Sequence, residues 1–392
     1  MADVRDYLEM RGDVLLGERP FNDVDNVILA SLSYLDLRGI ADASGLARLS
    51  VRRACEAFLA RAAGEDIAPW VRSLASIDDR FVRALGESAR FGCAMVRDYV
   101  DVTDDERTLQ FAALTVDLPD GCSYVSFRGT DNSLVGWKED FMLSFRVTGA
   151  QRSAAAYLER EAARAVAEGR RLYVGGHSKG GILAAYAATV LPERLRPCLV
   201  RVWSNDGPGM WPGAAPERAS EVLGSAFTHV IPAYDIVGML FDDGTEKLIV
   251  RSSADGALQH DPMTWQVGPG GLVEAESLEP DCVRMNAALA GWLDGMDPDE
   301  RERFTDELFD VLQAGGASRL DEILASAQSI QKVLTALTAA DQRTKDLVRE
   351  LLGATISANV ESAKDAVANA LAKPVGWGLA GNRLWPGQQA EP

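Results

Sequence analysis

Arg171-Leu172-Tyr173-Val174-Gly175-Gly176-His177-Ser178-Lys179-Gly180-Gly181 is the stretch on which the fold turns. It opens with a β-prone run, passes through Gly-x-Ser-x-Gly at Gly176, Ser178 and Gly180, and continues into the helix formers Ile182-Leu183-Ala184-Ala185-Tyr186-Ala187-Ala188. Strand, sharp turn and helix in that order are what a nucleophile elbow requires. The serine sits on a strained turn, so the residues two before and two after it must be small, and glycine stands at both places. The helix that follows aims its first N–H groups at the point where an oxyanion would form.

The rest of the chain bounds what this motif can serve. With 392 residues, 47% of them hydrophobic, there is enough apolar material for one large core or two modest domains. A formal net charge of −18 argues against a phosphate-backbone partner and against attraction to an anionic membrane. No apolar run has the length of a membrane span, and the start Met-Ala-Asp-Val-Arg-Asp-Tyr has no signal-like stretch. The five cysteines are scattered, without a Cys-x-x-Cys pair, which reads as reduced thiols in a cytoplasmic protein.

Outward from the elbow, Phe111 to Val116 and Tyr124 to Phe127 are short β-prone runs joined by the turn Pro119-Asp120-Gly121. Ala154 to Ala167 reads as helix. Leu199 to Trp203, Phe227 to Ile231 and Lys247 to Val250 read as further strands. Strands alternating with helices imply βαβ units, an α/β fold with a mostly parallel central sheet. Residues 1–95 are expected as a helical N-terminal segment on a 96–295 catalytic core, with Asn22 capping a helix that carries Asp25. Residues 296–392 are expected to be helical. Asp297-Pro298-Asp299-Glu300 starts one helix, Ser318 with Asp321 repeats the capping logic, and an apolar stripe runs from Leu320 to Leu337. That stripe fits a packed or dimerising helix, so a homo-oligomer is compatible with it. The tail from Pro374 reads as irregular.

A serine hydroxyl needs a base, and the chain has only three histidines. His177 adjoins Ser178, where neighbouring side chains diverge, and reads as support for the elbow. His229 lies inside a predicted strand and reads as a core or supporting residue. His260 lies in a loop past the last predicted strand, where such folds place catalytic groups, and is the expected base. For the acid that orients it, Asp235 follows the next-to-last strand, giving the order Ser178, Asp235, His260. Asp206, in Asn205-Asp206-Gly207-Pro208-Gly209, is the rival one strand earlier and ranks second; its plainer reading is a turn residue. Asp242, Asp243, Asp255 and Asp261 read as solvated loop carboxylates. The oxyanion donors are expected to be the backbone N–H of Lys179 and Thr130 in Phe127-Arg128-Gly129-Thr130-Asp131, with Arg128 and Asp131 either paired or facing solvent. No metal or cofactor enters this chemistry.

Together these residues resemble the class 3 lipases, α/β-hydrolases in which a Phe-Arg-Gly-Thr/Ser motif carries an oxyanion residue ahead of a Gly-His-Ser-Leu-Gly-Gly elbow. Trp137 and Asp140 look like that family's following Trp and Asp, and Asp235-Ile236-Val237-Gly238 is similar to its Asp-Ile/Val-Val-Pro. Lys179 departs from the usual Leu and Gly238 from the usual Pro. The Lys, the 206–209 stretch and Phe21-Asn22-Asp23-Val24-Asp25 are more similar still to a bacterial family of lipase-like hydrolases whose substrates are largely unknown. The resemblance implies an α/β-hydrolase fold and a serine esterase or lipase acting on a small-molecule or lipid ester. A catalytically silent interaction protein on the same scaffold, and an acyltransferase or thioesterase with the same triad, are the alternatives. Met142, Leu143, Phe145, Met210, Trp211, Met239 to Phe241, Met263 and Trp265 are either core or the lining of an acyl pocket.

Overall fold

A computed structural model describes residues 2–41, 48–73, 75–131, 133–242, 244–284, 286, 296–316, 318–319, 327–338, 340–342 and 344–345. Eight strands form one sheet in chain order: β1 (Leu49–Ser50), β2 (Met95–Asp104), β3 (Leu109–Asp117), β4 (Cys122–Phe127), β5 (Arg171–His177), β6 (Leu199–Asn205), β7 (Phe227–Pro232) and β8 (Lys247–Val250). From β1 to β4 the neighbours are antiparallel, joined at β3–β4 by the tight turn at Gly121, whose φ of 87° suits glycine. From β4 to β8 every pairing is parallel. This is an α/β fold of the α/β-hydrolase type, with its parallel half carrying the elbow.

Alternation along the strands builds two cores, because successive side chains point to opposite faces. On one face Leu114, Val116, Tyr124 and Trp203 pack against the N-terminal helices α1 (Val4–Arg11), α2 (Asp23–Leu32), α3 (Val51–Arg61) and α4 (Asp79–Glu87). On the other, Phe111, Val125, Phe127, Val174 and Val202 meet α6 (Gly149–Glu168) and α7 (Lys179–Thr189). Between them in sequence lies α5 (Leu134–Met142), against which the helix Pro298–Gln313 packs through Phe304, Leu308 and Phe309. Asn22 and Asp25 make the expected capping box on α2, as Asp297 and Glu300 do for Pro298–Gln313.

The sequence reading has no strand before Leu109, yet β2 spans ten residues. Its alternation is broken by a bulge between Arg97 and Val100, where Asp98 takes a φ of 53°. It also buries charge: Arg97 is 2% exposed and reaches Asp98, Asp117 and Glu161. A buried ion network on a bulged strand leaves no period for a pattern search to find. Part of the expected Leu320–Leu337 stripe, Asp321 and the tail from Pro374 lie outside the described residues; Ala327–Leu337 is helical.

Candidate active site

The elbow is built by close approach of backbones. Ser178 adopts φ 57° and ψ −128°, a left-handed conformation that costs a non-glycine residue about 1–3 kcal/mol. Its N–H is tied to Asn205 O at 2.9 Å, and its carbonyl accepts from Gly181 N at 2.8 Å. A Cβ at Gly176 would lie 2.3 Å from Gly180 O, and one at Gly180 would lie 2.1 Å from Phe127 O. The two glycines therefore let α7 press against the end of β4 and the loop that follows.

That loop lies beside the serine. A Cβ at Gly129 would sit 3.3 Å from Ser178 Cβ and 2.6 Å from His177 O. Arg128, 1% exposed, does not face solvent; its guanidinium makes two bonds to Asp101, at 3.0 and 2.8 Å, with Asp131 at 4.0 Å. Thr130 Oγ1 donates to Asp140 Oδ2. Burial raises the Asp140 carboxyl to about 6, while Lys179 pulls it the other way. The Lys179 side chain, 2% exposed, donates to Gln110 O at 3.0 Å and Glu139 Oε2 at 3.2 Å, with Asp140 Oδ1 at 3.7 Å. The residue that replaces the usual Leu thus ties α7 to α5 and β3 with a buried cation.

His260 ends a short 3₁₀ turn, Gly256–His260, and its side chain is 32% exposed. Its Nδ1 lies 2.7 Å from Asp206 Oδ2. The partner expected at this nitrogen was Asp235, and the structure corrects that expectation. Asp206 takes a φ of 49° at the end of β6 and is completely buried, which turns its carboxyl to the histidine. Asp235, 1% exposed, stands behind it: Gly238 N donates to Asp206 Oδ1 at 3.0 Å and to Asp235 Oδ1 at 2.8 Å. A proline at 238, as in the lipase pattern, has no N–H to share in this way. Burial raises both carboxyl pKa values, and Asp206 raises that of Asp235 further. Burial lowers that of His260, with the carboxylates of Asp235, Asp261 and Asp140 opposing.

The elbow also holds the histidine through its own His177. Its Nε2 lies 2.8 Å from the carbonyl of His260, and its Nδ1 lies 2.8 Å from Tyr34 Oη. A carbonyl only accepts, so Nε2 carries the hydrogen and Nδ1 accepts from the tyrosine. Burial holds the His177 pKa well below its ordinary value, and the ring is neutral. With both nitrogens committed, His177 has no lone pair for a metal, although its ligand atom lies within 4.8 Å of those of Asp206 and His260. His229 Nε2 lies 2.9 Å from Gly207 O and steadies the loop that carries Asp206. Among the described residues Ser178 Oγ makes no hydrogen bond; the His177 and His260 rings are 4.6 Å apart.

A cleft of about 490 Å³ opens among Met210, Trp211, Arg218 and Phe241, on the loops that follow Asp206 and Asp235, and Arg301 of the helix Pro298–Gln313. Of the other apolar candidates, Leu143, Phe145, Met263 and Trp265 are core. Asp261 is not simply solvated: it caps a 3₁₀ turn and accepts from Ser76 N at 3.0 Å. Asp242 pairs with Lys247, and Asp243 lies outside the described residues.

A family model covering residues 85–310, more than half of the sequence, matches the chain. The chain belongs to the Mbeg1-like family, a lipase-like family. Comparison with curated proteins gives no match. A solved structure it is similar to is that of M37 lipase, at 15% identity over 56% of this chain and 70% of that one, with a TM-score of 0.34. The family match begins at residue 85, so α1, α2 and the residues after them lie before it. Those residues nevertheless reach the site. Besides Tyr34, Asn26 of α2 donates from Nδ2 to Oδ1 of Asn205, the neighbour of Asp206, at 2.8 Å, and accepts from Tyr124 Oη at 2.8 Å. The sequence of α2 shows no catalytic motif; its one signal is polar residues such as Asn26 set among apolar ones that are buried with them.

Proposed function

We propose that this chain is a serine hydrolase of esterase or lipase type. Ser178 attacks an ester carbonyl while His260 Nε2 takes the hydroxyl proton. Asp206 holds Nδ1–H and stabilises the imidazolium, in the role first expected of Asp235. The oxyanion forms against the N–H of Lys179 at the start of α7 and against Thr130. His260 then protonates the leaving alcohol, and water, deprotonated by the same imidazole, releases the acid from Ser178. The proton account closes, with one proton passing to the alcohol and one returning to the serine.

The observation that carries the reading is a strained serine whose preceding residue grips the backbone of a histidine paired with a buried aspartate. The neutral His260 is in the state a general base needs. The cleft on the loops after Asp206 and Asp235 presents Met210, Trp211 and Phe241, side chains of the kind that take an acyl or alkyl group, beside the charged Glu217, Arg218, Glu221 and Asp242. No helix among the described residues is long and apolar enough to cross a membrane, and all five cysteines are free thiols. We place the protein in the cytoplasm on the thiols.

A fluorophosphonate probe tests the nucleophile. Wild type should be labelled covalently and Ser178→Ala should not, and an ester panel of graded acyl length should show turnover only for wild type. Equal labelling of the two proteins would sink the assignment.

A further inference from the structure

The carboxyl pair beneath His260 contains one more acid than a triad uses. Asp206 and Asp235 are both buried, and a single N–H, that of Gly238, serves an oxygen of each. His260 donates to Asp206. Asp235 Oδ2 finds no donor among the described residues, although it is fully enclosed. A Cβ placed on Gly238 would lie 2.6 Å from that oxygen and 3.1 Å from Asp206 Oδ1, so both carboxyls border the same space beside the glycine. Among the described residues, the other groups bonded to Asp235 carry no positive charge. Cys282 Sγ accepts from Asp235 N and donates to Asp235 O, and Asn286 Nδ2 donates to the same carbonyl. Two ionised carboxylates in one dry site with only a neutral imidazole for company repel each other strongly. An oxygen without a donor is satisfied there by becoming the donor.

We infer that Asp235 is a positioning residue held as the neutral acid, its O–H donating to the Asp206 carboxylate that in turn receives His260. The inference rests on the hydrolase reading above and deepens it. The raised proton affinity that burial and Asp206 confer on Asp235 runs in the same direction. The extra O–H gives Asp206 a third fixed donor, beside Gly238 N and His260 Nδ1, and leaves the pair with one negative charge. When His260 becomes an imidazolium, that charge sits on Asp206, and Asp235 keeps its proton.

The test compares Asp206→Asn, Asp235→Asn and Asp235→Leu in the full chain, by turnover and by infrared difference spectra. An asparagine at 235 accepts from Gly238 and donates to Asp206 as the neutral acid does; a leucine donates nothing. Asp235→Asn should lose less than about tenfold in kcat, and Asp235→Leu about tenfold more than that. Asp206→Asn should lose about 10⁴-fold, because its amide donates where the imidazole needs an acceptor. The spectra are independent of turnover. At neutral pH, wild type minus Asp235→Asn should show the carbonyl stretch of a buried protonated carboxylic acid. Absence of that band overturns the inference, as does an Asp235→Asn loss equal to that of Asp206→Asn. Should wild type turn over no ester while the band is present, the hydrolase reading fails and the neutral Asp235 stands.

Discussion

His260 Nδ1 and Asp206 Oδ2 lie 2.7 Å apart, joining the loop after β6 to the turn after β8 across 54 positions of sequence. Because burial lowers the His260 pKa, the imidazole is neutral at pH 7 and its Nε2 is free to accept a proton. Activity should therefore fall on the acid side with a midpoint below about 6.5, the ordinary histidine value. A kcat/KM profile over pH 4 to 9 measures it. A midpoint above that value would mean that the carboxylates, rather than burial, govern the ring.

Gly238→Pro should lose both the shared donor and the activity. It removes the N–H that Asp206 and Asp235 accept, and puts ring atoms where a Cβ would already lie 2.6 Å from Asp235 Oδ2. Leaving buried acceptors unmet costs about 1–3 kcal/mol, and overpacking adds a similar amount. Urea unfolding should report the sum. A proline variant as stable and active as wild type would show that the shared hydrogen bond is dispensable.

Lys179→Met should destabilise the protein by about 3–5 kcal/mol, since it strands Glu139, which is completely buried. Adding Glu139→Gln should recover most of the loss, because the uncompensated charge goes with it. The urea midpoints of the four proteins form a double-mutant cycle. Strictly additive effects would refute the coupling.

Tyr34→Phe removes the donor to His177 Nδ1 and should cost about 1 kcal/mol or slightly more. The His177 ring then loses one of the two bonds that set its orientation, and with it the grip on the His260 carbonyl. Turnover should drop with KM little changed, and labelling of Ser178 should slow in parallel. If KM alone rises, Tyr34 contacts substrate instead.

Stability should depend on His177 in a defined pH window. The folded-state pKa is depressed, so the unfolded chain binds more protons as pH falls through about 6.5. Its contribution is fully present above that value and is lost below it. His177→Gln has no proton to take up, so its stability should fall less steeply than that of wild type between pH 7 and 5. Thermal melts across that range decide it, and parallel curves would contradict the buried neutral ring.

Much of the site is visible in the residues themselves. Gly176 and Gly180 on either side of Ser178 show an elbow because backbone sterics leave no other residue room at those two positions. The Asn22 and Asp297 caps are legible because capping is a matter of three or four adjacent residues. His260 is reachable by elimination in a chain with three histidines. What escaped has a common cause. β2 is disguised by a bulge and a buried Arg97 network. Arg128 turns inward to Asp101, a residue of that same unseen strand. Tyr34 and Asn26 act across more than a hundred positions, so even the odd polar residue on α2 names no partner near Ser178.

The amino-acid order alone determined the strand–turn–helix geometry at Ser178 and the helical caps, because each depends on sterics and hydrogen bonds among residues close along the chain. Which carboxyl meets His260 was decided only by the folded arrangement. Asp206 and Asp235 follow neighbouring parallel strands and converge on one Gly238 N–H. The choice between them rests on the left-handed turn at Asp206, φ 49°, which directs one carboxyl at the ring and leaves the other behind it.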